Sequence, residues 1–228
     1  MTARPRRLTP GRARKESRPA RRRRTATILE RLERQYPGAR CALDHGDPLQ
    51  LLVATILSAQ CTDVRVNQVT PALFRRFPTA ADYAAADLGE LEELVKTTGF
   101  FRNKARALKG LGQALLAEHG GRVPASMAAL TRLPGVGRKT ANVVLGNALG
   151  IDEGIVVDTH VQRLSRRLGL TAQDDPPKIE LDLMGLVPRS AWTAWAHLLI
   201  HHGRQVCRAR RPECEHCAVA EICPSAEI

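Results

Sequence analysis

Apolar residues along most of this chain recur at intervals of three and four, the spacing that draws one stripe along a helix. Leu49 to Ser58 is apolar nearly all round, which predicts a helix buried on every side. Thr62-Asp63 supplies a cap for the next helix, whose inner face is Val66, Val69, Leu73, Phe74 and Phe77. Leu88, Leu91, Leu94 and Val95 mark a short helix. Asn103 to His119 forms a long one, with Ala105, Leu108, Leu111, Leu115 and Leu116 inward and Gly120-Gly121 as its stop. Ala26 to Gln35 reads as the first helix, ended by Tyr36-Pro37-Gly38. Ile155-Val156-Val157 leads to Asp158, the N-cap of a helix carrying Val161, Leu164 and Leu168 and stopped by Gly169. Ile179 to Val187 is helical, and Ala191 to Gly203 presents Trp192, Trp195, Ala196 and Leu199 on one face. No segment sustains period-two alternation, so the pattern predicts an all-α fold with no sheet and no internal repeat.

Two further helices, Ala125 to Leu130 and Arg138 to Leu149, are joined by Leu133-Pro134-Gly135-Val136-Gly137. Pro-Gly-x-Gly between helices makes a tight hairpin, whose glycines permit positive φ and leave backbone N–H groups uncovered. Such groups at a helix N-terminus suit an anion such as a phosphate. An ordinary interhelical turn would have the same glycines. Lys139 is the residue that such a turn leaves unexplained. A lysine in a first helical turn opposes the macrodipole at a cost of about 0.3–1 kcal/mol. That opposition favours the neutral amine, which is a nucleophile, over the ammonium, which is not.

Charge changes the picture next. The 228 residues carry a net +12. The first 24 hold ten Arg and one Lys against the single Glu16, so the remaining chain is close to balanced. A polyanion is the natural partner of such a chain. Aromatic residues make up only 4%, which argues against a stacking platform for single strands. Residues 1–24, rich in Arg and Pro, read as a disordered tail that contacts DNA. An organelle transit peptide is the alternative, and few serines and no amphipathic pattern count against it. No apolar run approaches the length of a membrane span, so a soluble, cytoplasmic and nucleoid-associated protein with no membrane partner is expected.

Of six cysteines, Cys207, Cys214, Cys217 and Cys223 follow a C-x6-C-x2-C-x5-C pattern in one terminal loop. In a chain with no apolar leader a cysteine cluster points to metal rather than to disulfides. Four thiolates fit a zinc ion or an iron–sulfur cluster, and spacing alone does not choose. Arg204, Arg208, Arg210 and Arg211 crowd the first half of this loop, where they would aim cations at phosphates or simply be solvated. Cys61 reads as a small buried side chain and Cys41 as incidental.

Taken together, Leu133 to Thr140, Val157-Asp158-Thr159-His160, Leu57-Ser58-Ala59-Gln60-Cys61-Thr62-Asp63 and the cysteine spacing resemble the endonuclease III family. These are bifunctional DNA glycosylases of the helix-hairpin-helix superfamily. The resemblance runs from Ala26 to Cys223. It implies a two-lobed fold: a six-helix domain over residues 43–150 with the hairpin, and a discontinuous cluster domain from residues 25–42 and 151–228. It implies a [4Fe–4S] cluster on Cys207, Cys214, Cys217 and Cys223, and a monomer. A cleft between the lobes would take Lys139 from one side and Asp158 from the other.

The function implied is removal of oxidised pyrimidines from duplex DNA, followed by β-elimination at the abasic site. Lys139 would attack C1′, and Asp158 would stabilise the oxocarbenium-like state and help deprotonate the amine. A plain helix cap is the other reading of Asp158, with His160 its structural companion. Gln60 would fill the gap left by an extruded base and Phe100 would wedge the opposite side. A helix-end polar residue and a core aromatic are their duller readings. Phe100 stands where the family often has a smaller aliphatic residue. Gly135, Val136, Gly137 and Arg138 would hold a phosphate through the hairpin. Two rival functions remain: a mismatch thymine, uracil or adenine glycosylase of the same superfamily, and a non-enzymatic DNA-binding module. The second accounts for the charge and the glycines but not for Lys139 with Asp158.

Overall fold

The computed structural model describes residues 8–227, and among them no strand forms. The helices, in chain order, are α1 (Pro10–Arg14), α2 (Arg18–Gln35), α3 (Pro48–Leu57), α4 (Asp63–Arg76), α5 (Ala80–Ala85) and α6 (Leu88–Val95). They continue with α7 (Phe101–His119), α8 (Met127–Leu130), α9 (Arg138–Ala148), α10 (Thr159–Arg167), α11 (Pro176–Met184) and α12 (Trp192–Gln205). Among the described residues no helix is long and apolar enough to cross a membrane.

The chain divides into two compact units. One runs from Cys41 to Glu153. Its core is α3, buried on all sides at Leu51, Leu52, Val53, Ala54, Ile56 and Leu57, as an all-round apolar helix must be. Helix α7 packs against α3, α5 and α6. Its Gly112 lets α5 come to backbone contact: a Cβ there would stand 2.5 Å from the Ala84 nitrogen. Helix α5 is absent from the apolar pattern because it is six residues long. Its signal is local, a capping box in which the Thr79 and Asp82 side chains satisfy each other's backbone N–H groups. With α5 this unit has seven α-helices where six are expected. Leu116, expected inward, is 44% exposed, one residue off the stripe that Leu115 occupies.

The other unit joins the segment up to Arg40 to the segment from Gly154 onward. Ile28 and Leu32 of α2 pack with Val161, Leu164, Ile179, Leu183, Trp195 and Leu199 in a second core. Gly203 lets α12 approach α10, since a Cβ there would lie 2.9 Å from Nδ1 of His160.

Residues 8–24 depart from the disorder that the composition of the N-terminal segment suggests. Residues 1–7 lie outside the described chain, but α1 and the first turns of α2 are helical. Ser17 caps α2 by accepting from the Ala20 N–H at 3.4 Å. Arg24 is buried: Nη2 donates to Glu16 Oε2 at 2.7 Å and Nη1 to the Leu168 carbonyl at 2.7 Å. Ala13 sits 3% exposed over Gly169. Contacts with residues some 145 positions away order the segment, and composition does not register them.

Candidate functional site

The hairpin is α8, a turn, and α9. Leu133 and Val136 are buried at 4% and 6% and pin the turn from inside. Gly135 adopts φ +77°, and a Cβ there would come 3.2 Å from the Ala107 Cβ on α7 and 3.6 Å from Ile56 on α3. Glycine is therefore demanded by both conformation and space. Gly137 does not use that freedom: it is extended, with φ −93° and ψ 174°, so within the turn only Gly135 takes positive φ. No atom lies within 4 Å of where its Cβ would be, so its bareness serves the outer face of the turn.

As N-cap of α9, Gly137 offers no side-chain hydrogen bond. Helices α3, α4, α5, α6 and α8 of the same unit are capped by Asp47, Thr62, Thr79, Asp87 and Ser126. At the start of α9, as at the start of α7, no N-cap side chain accepts from the first turn. Arg138 and Lys139 are exposed in that turn.

Two loops of the same unit present Gln60 and Phe100. Among the described residues these are the two non-glycines with positive φ, at 55° and 47°. A left-handed non-glycine costs roughly 1–2 kcal/mol, and such strain gathers at functional positions. Both residues are exposed, Phe100 at 69%, so the core-aromatic reading of Phe100 fails. Between the loops lies Lys104, 5% exposed, whose Nζ donates to the carbonyls of Leu57 and Thr98 at 2.7 Å each. Burial lowers its pKa.

In the other unit, Asp158 caps α10: Oδ1 accepts from the N–H groups of His160 at 2.9 Å and Val161 at 2.8 Å. Both bonds reach one oxygen, so the cap leaves Oδ2 out. The carboxylate is half-buried. His160 receives Arg163 Nη2 on its Nδ1 at 3.2 Å, and burial lowers its pKa against the opposing pull of Asp158.

Cys207, Cys214, Cys217 and Cys223 line one cavity of about 310 Å³ together with Arg167 and His202. All are free thiols. Burial, reinforced by the other three cysteines, pushes the Cys217 thiol up to about 11. Arginines hold the loop by its carbonyls: Arg163 to Cys207 at 3.1 Å, Arg167 to Arg208 and Ala209 at 2.7 Å each. Among the described residues no three His, Cys, Asp or Glu side chains are gathered tightly enough to grip a metal ion.

Residues 53–189 match the model of the HhH-GPD superfamily base excision DNA repair proteins. Endonuclease III of Synechocystis is 56% identical over 204 residues, which cover 90% of this chain and 93% of that protein. The chain belongs to the endonuclease III family. Two solved endonuclease III structures, a non-covalent DNA complex and a trapped covalent DNA intermediate, each superpose with a TM-score of 0.84 at 41% identity. Each likeness covers 90% of this chain and 96% of the other.

Within this endonuclease III fold, one unit brings together Gln60, Phe100, Gly135, Val136, Gly137, Arg138 and Lys139, all on α3, α7, α9 and the turns they support. Asp158 and the four cysteines share the other unit. Val136 is buried, so it can offer an outside partner its backbone but not its side chain. A buried residue that the sequence reading passed over is Lys104, held between the Gln60 and Phe100 loops. Its only signal was a lysine placed directly before Ala105 on the inward stripe of α7.

Proposed function

We propose that Lys139 is the nucleophile and Asp158 the carboxylate partner of this base-excision-repair DNA glycosylase and AP lyase. The observation that carries the reading is Lys139 itself, exposed in the one hairpin turn whose amides have no side-chain cap. A duplex phosphate seated on the N–H groups between Gly135 and Lys139 would bring the sugar to the amine. A damaged base must leave the stack before it can react, at a few kcal/mol, least for weakly paired lesions. Gln60 would occupy the vacated position and Phe100 the opposite face, and their exposure in strained loops supports both roles.

The neutral amine then attacks C1′. The glycosidic bond breaks and the base leaves with its electron pair, to be protonated. Positive charge grows on the sugar ring, and the free oxygen of Asp158 is suited to offset it and to accept the amine's proton. The C1′–O4′ bond then opens, with O4′ taking up a proton as the nitrogen lone pair forms the iminium, and this iminium acidifies C2′. Loss of that proton expels the 3′ phosphate, which cuts the strand. Oxidised pyrimidines are the proposed substrates.

The cysteine loop would hold a [4Fe–4S] cluster through Cys207, Cys214, Cys217 and Cys223. All four thiols line one shared cavity, as the ligands of a single centre must, and four thiolates are the ligand set of such a cluster. When bound, the cluster supplies four metal–sulfur links and a potential redox centre.

Borohydride added to the enzyme with an oxidised-pyrimidine duplex should trap a covalent protein–DNA complex, and Lys139→Gln should abolish it. Trapping that survives the substitution moves the nucleophile elsewhere. Purified protein should be brown and contain iron rather than zinc; zinc alone would overturn the cluster assignment. Preference for mismatched thymine over oxidised pyrimidines would overturn the substrate assignment.

A further inference from the structure

The buried Lys104 ammonium sits between two backbone carbonyls, each 2.7 Å away. The Leu57 carbonyl closes α3, and the Thr98 carbonyl closes the single 3-10 turn, Lys96–Thr98, that follows α6. Both are the negative ends of helical segments, where a cation is favoured. Thr98 is itself held, its buried hydroxyl donating to the Val95 carbonyl at 2.8 Å. Gln60 follows the first anchor by three residues and Phe100 follows the second by two. Lys104 also hydrogen-bonds through its own backbone N–H to the Phe100 carbonyl at 3.1 Å. One residue therefore contacts both strained loops, at three backbone oxygens.

A left-handed non-glycine persists only where its surroundings over-determine it. A buried ammonium with three donors, two of them spent on carbonyls from different loops, is such a surrounding. We propose that Lys104 is a positioning residue that fixes the separation of the Gln60 and Phe100 loops, so that both side chains enter the duplex together when the base is extruded. It touches no DNA. This rests on the reading of Gln60 and Phe100 as the inserted pair.

The test compares base extrusion with chemistry that needs none. Extrusion is followed by stopped-flow fluorescence of 2-aminopurine placed beside the lesion in a duplex. Chemistry is followed by borohydride trapping on a single-stranded abasic oligonucleotide. Lys104→Met keeps the stem and removes the donors. It should slow extrusion by about 10- to 100-fold, the penalty of a misplacement near 1 Å, and leave single-strand trapping unchanged. Lys104→Gln, which keeps two N–H donors on a shorter stem, should fall between and serves if the methionine variant does not fold.

If both readouts fall in parallel, or neither moves, Lys104 is merely structural and the proposal is overturned. Gln60→Ala and Phe100→Ala in the otherwise unaltered enzyme separate the two layers. If these slow extrusion and the Lys104 variants do not, only the clamp falls. If they leave extrusion unchanged, the insertion reading falls and takes the clamp with it.

Discussion

The guanidinium of Arg24 donates to the carbonyl of Leu168, 2.7 Å away in space and 144 residues along the chain. Leu168 ends α10, the helix that Asp158 begins, so the basic N-terminal segment closes the far end of the helix that carries the proposed carboxylate. Glu16 balances the charge on the other side of Arg24.

Arg24→Ala should destabilise the protein by about 1–3 kcal/mol, because it leaves a buried carbonyl and a carboxylate without their donor. Urea unfolding would measure this. Arg23→Ala, at an exposed position of the same helix, should stay within about 0.5 kcal/mol of the parent.

Asp158 serves as a cap through Oδ1, and an amide oxygen can do the same. Asp158→Asn should therefore keep the stability, since Asn and Asp cap about equally well, while Asp158→Ala should lose about 1 kcal/mol. Base release measured in single turnovers should fall by about 10²–10³-fold in the asparagine variant, as for loss of one transition-state stabilising group. Unchanged base release would leave Asp158 a cap and nothing more.

Gly135 and Gly137 should respond in opposite ways. Gly135→Ala places a Cβ at φ +77° against Ala107 and should cost about 1–2 kcal/mol of stability. Gly137→Ala meets no strain and no neighbour, so stability should hold within about 0.5 kcal/mol. Its duplex affinity should nonetheless drop several-fold in fluorescence anisotropy, because the new methyl covers amides meant for a phosphate.

Burial, helped by the neighbouring His201, pushes the His197 imidazole down to about 4. The unfolded chain binds this proton near 6.5 and the folded chain does not, so stability falls as pH drops from about 6.5 toward 4. The loss attributable to this group is at most about 3 kcal/mol. Denaturation of the parent and of His197→Gln at pH 7 and pH 4.5 should show a smaller decline in the variant.

Much of the architecture was legible without coordinates because it rests on short-range rules. The all-round apolar run Leu49 to Ser58, the stripe of α7 and the Asp158 cap each depend on residues within four positions of one another. Helix α5 escaped because six residues cannot display a period, and Leu116 because neighbouring apolar residues blur the edge of a stripe.

The chain by itself determined the all-helical class, the Pro-Gly-x-Gly turn with its lysine, and the spacing of the four cysteines in the terminal loop. All three are local patterns of spacing and side-chain chemistry. Only tertiary structure decided that an arginine-rich segment is ordered, that Gly135 rather than Gly137 bears positive φ, and that Lys104 bridges two loops. Those outcomes depend on partners brought close by packing, such as the Leu168 carbonyl for Arg24 and Ile56 and Ala107 for Gly135. Periodicity reports which face of a helix turns inward, and it carries no record of what waits there.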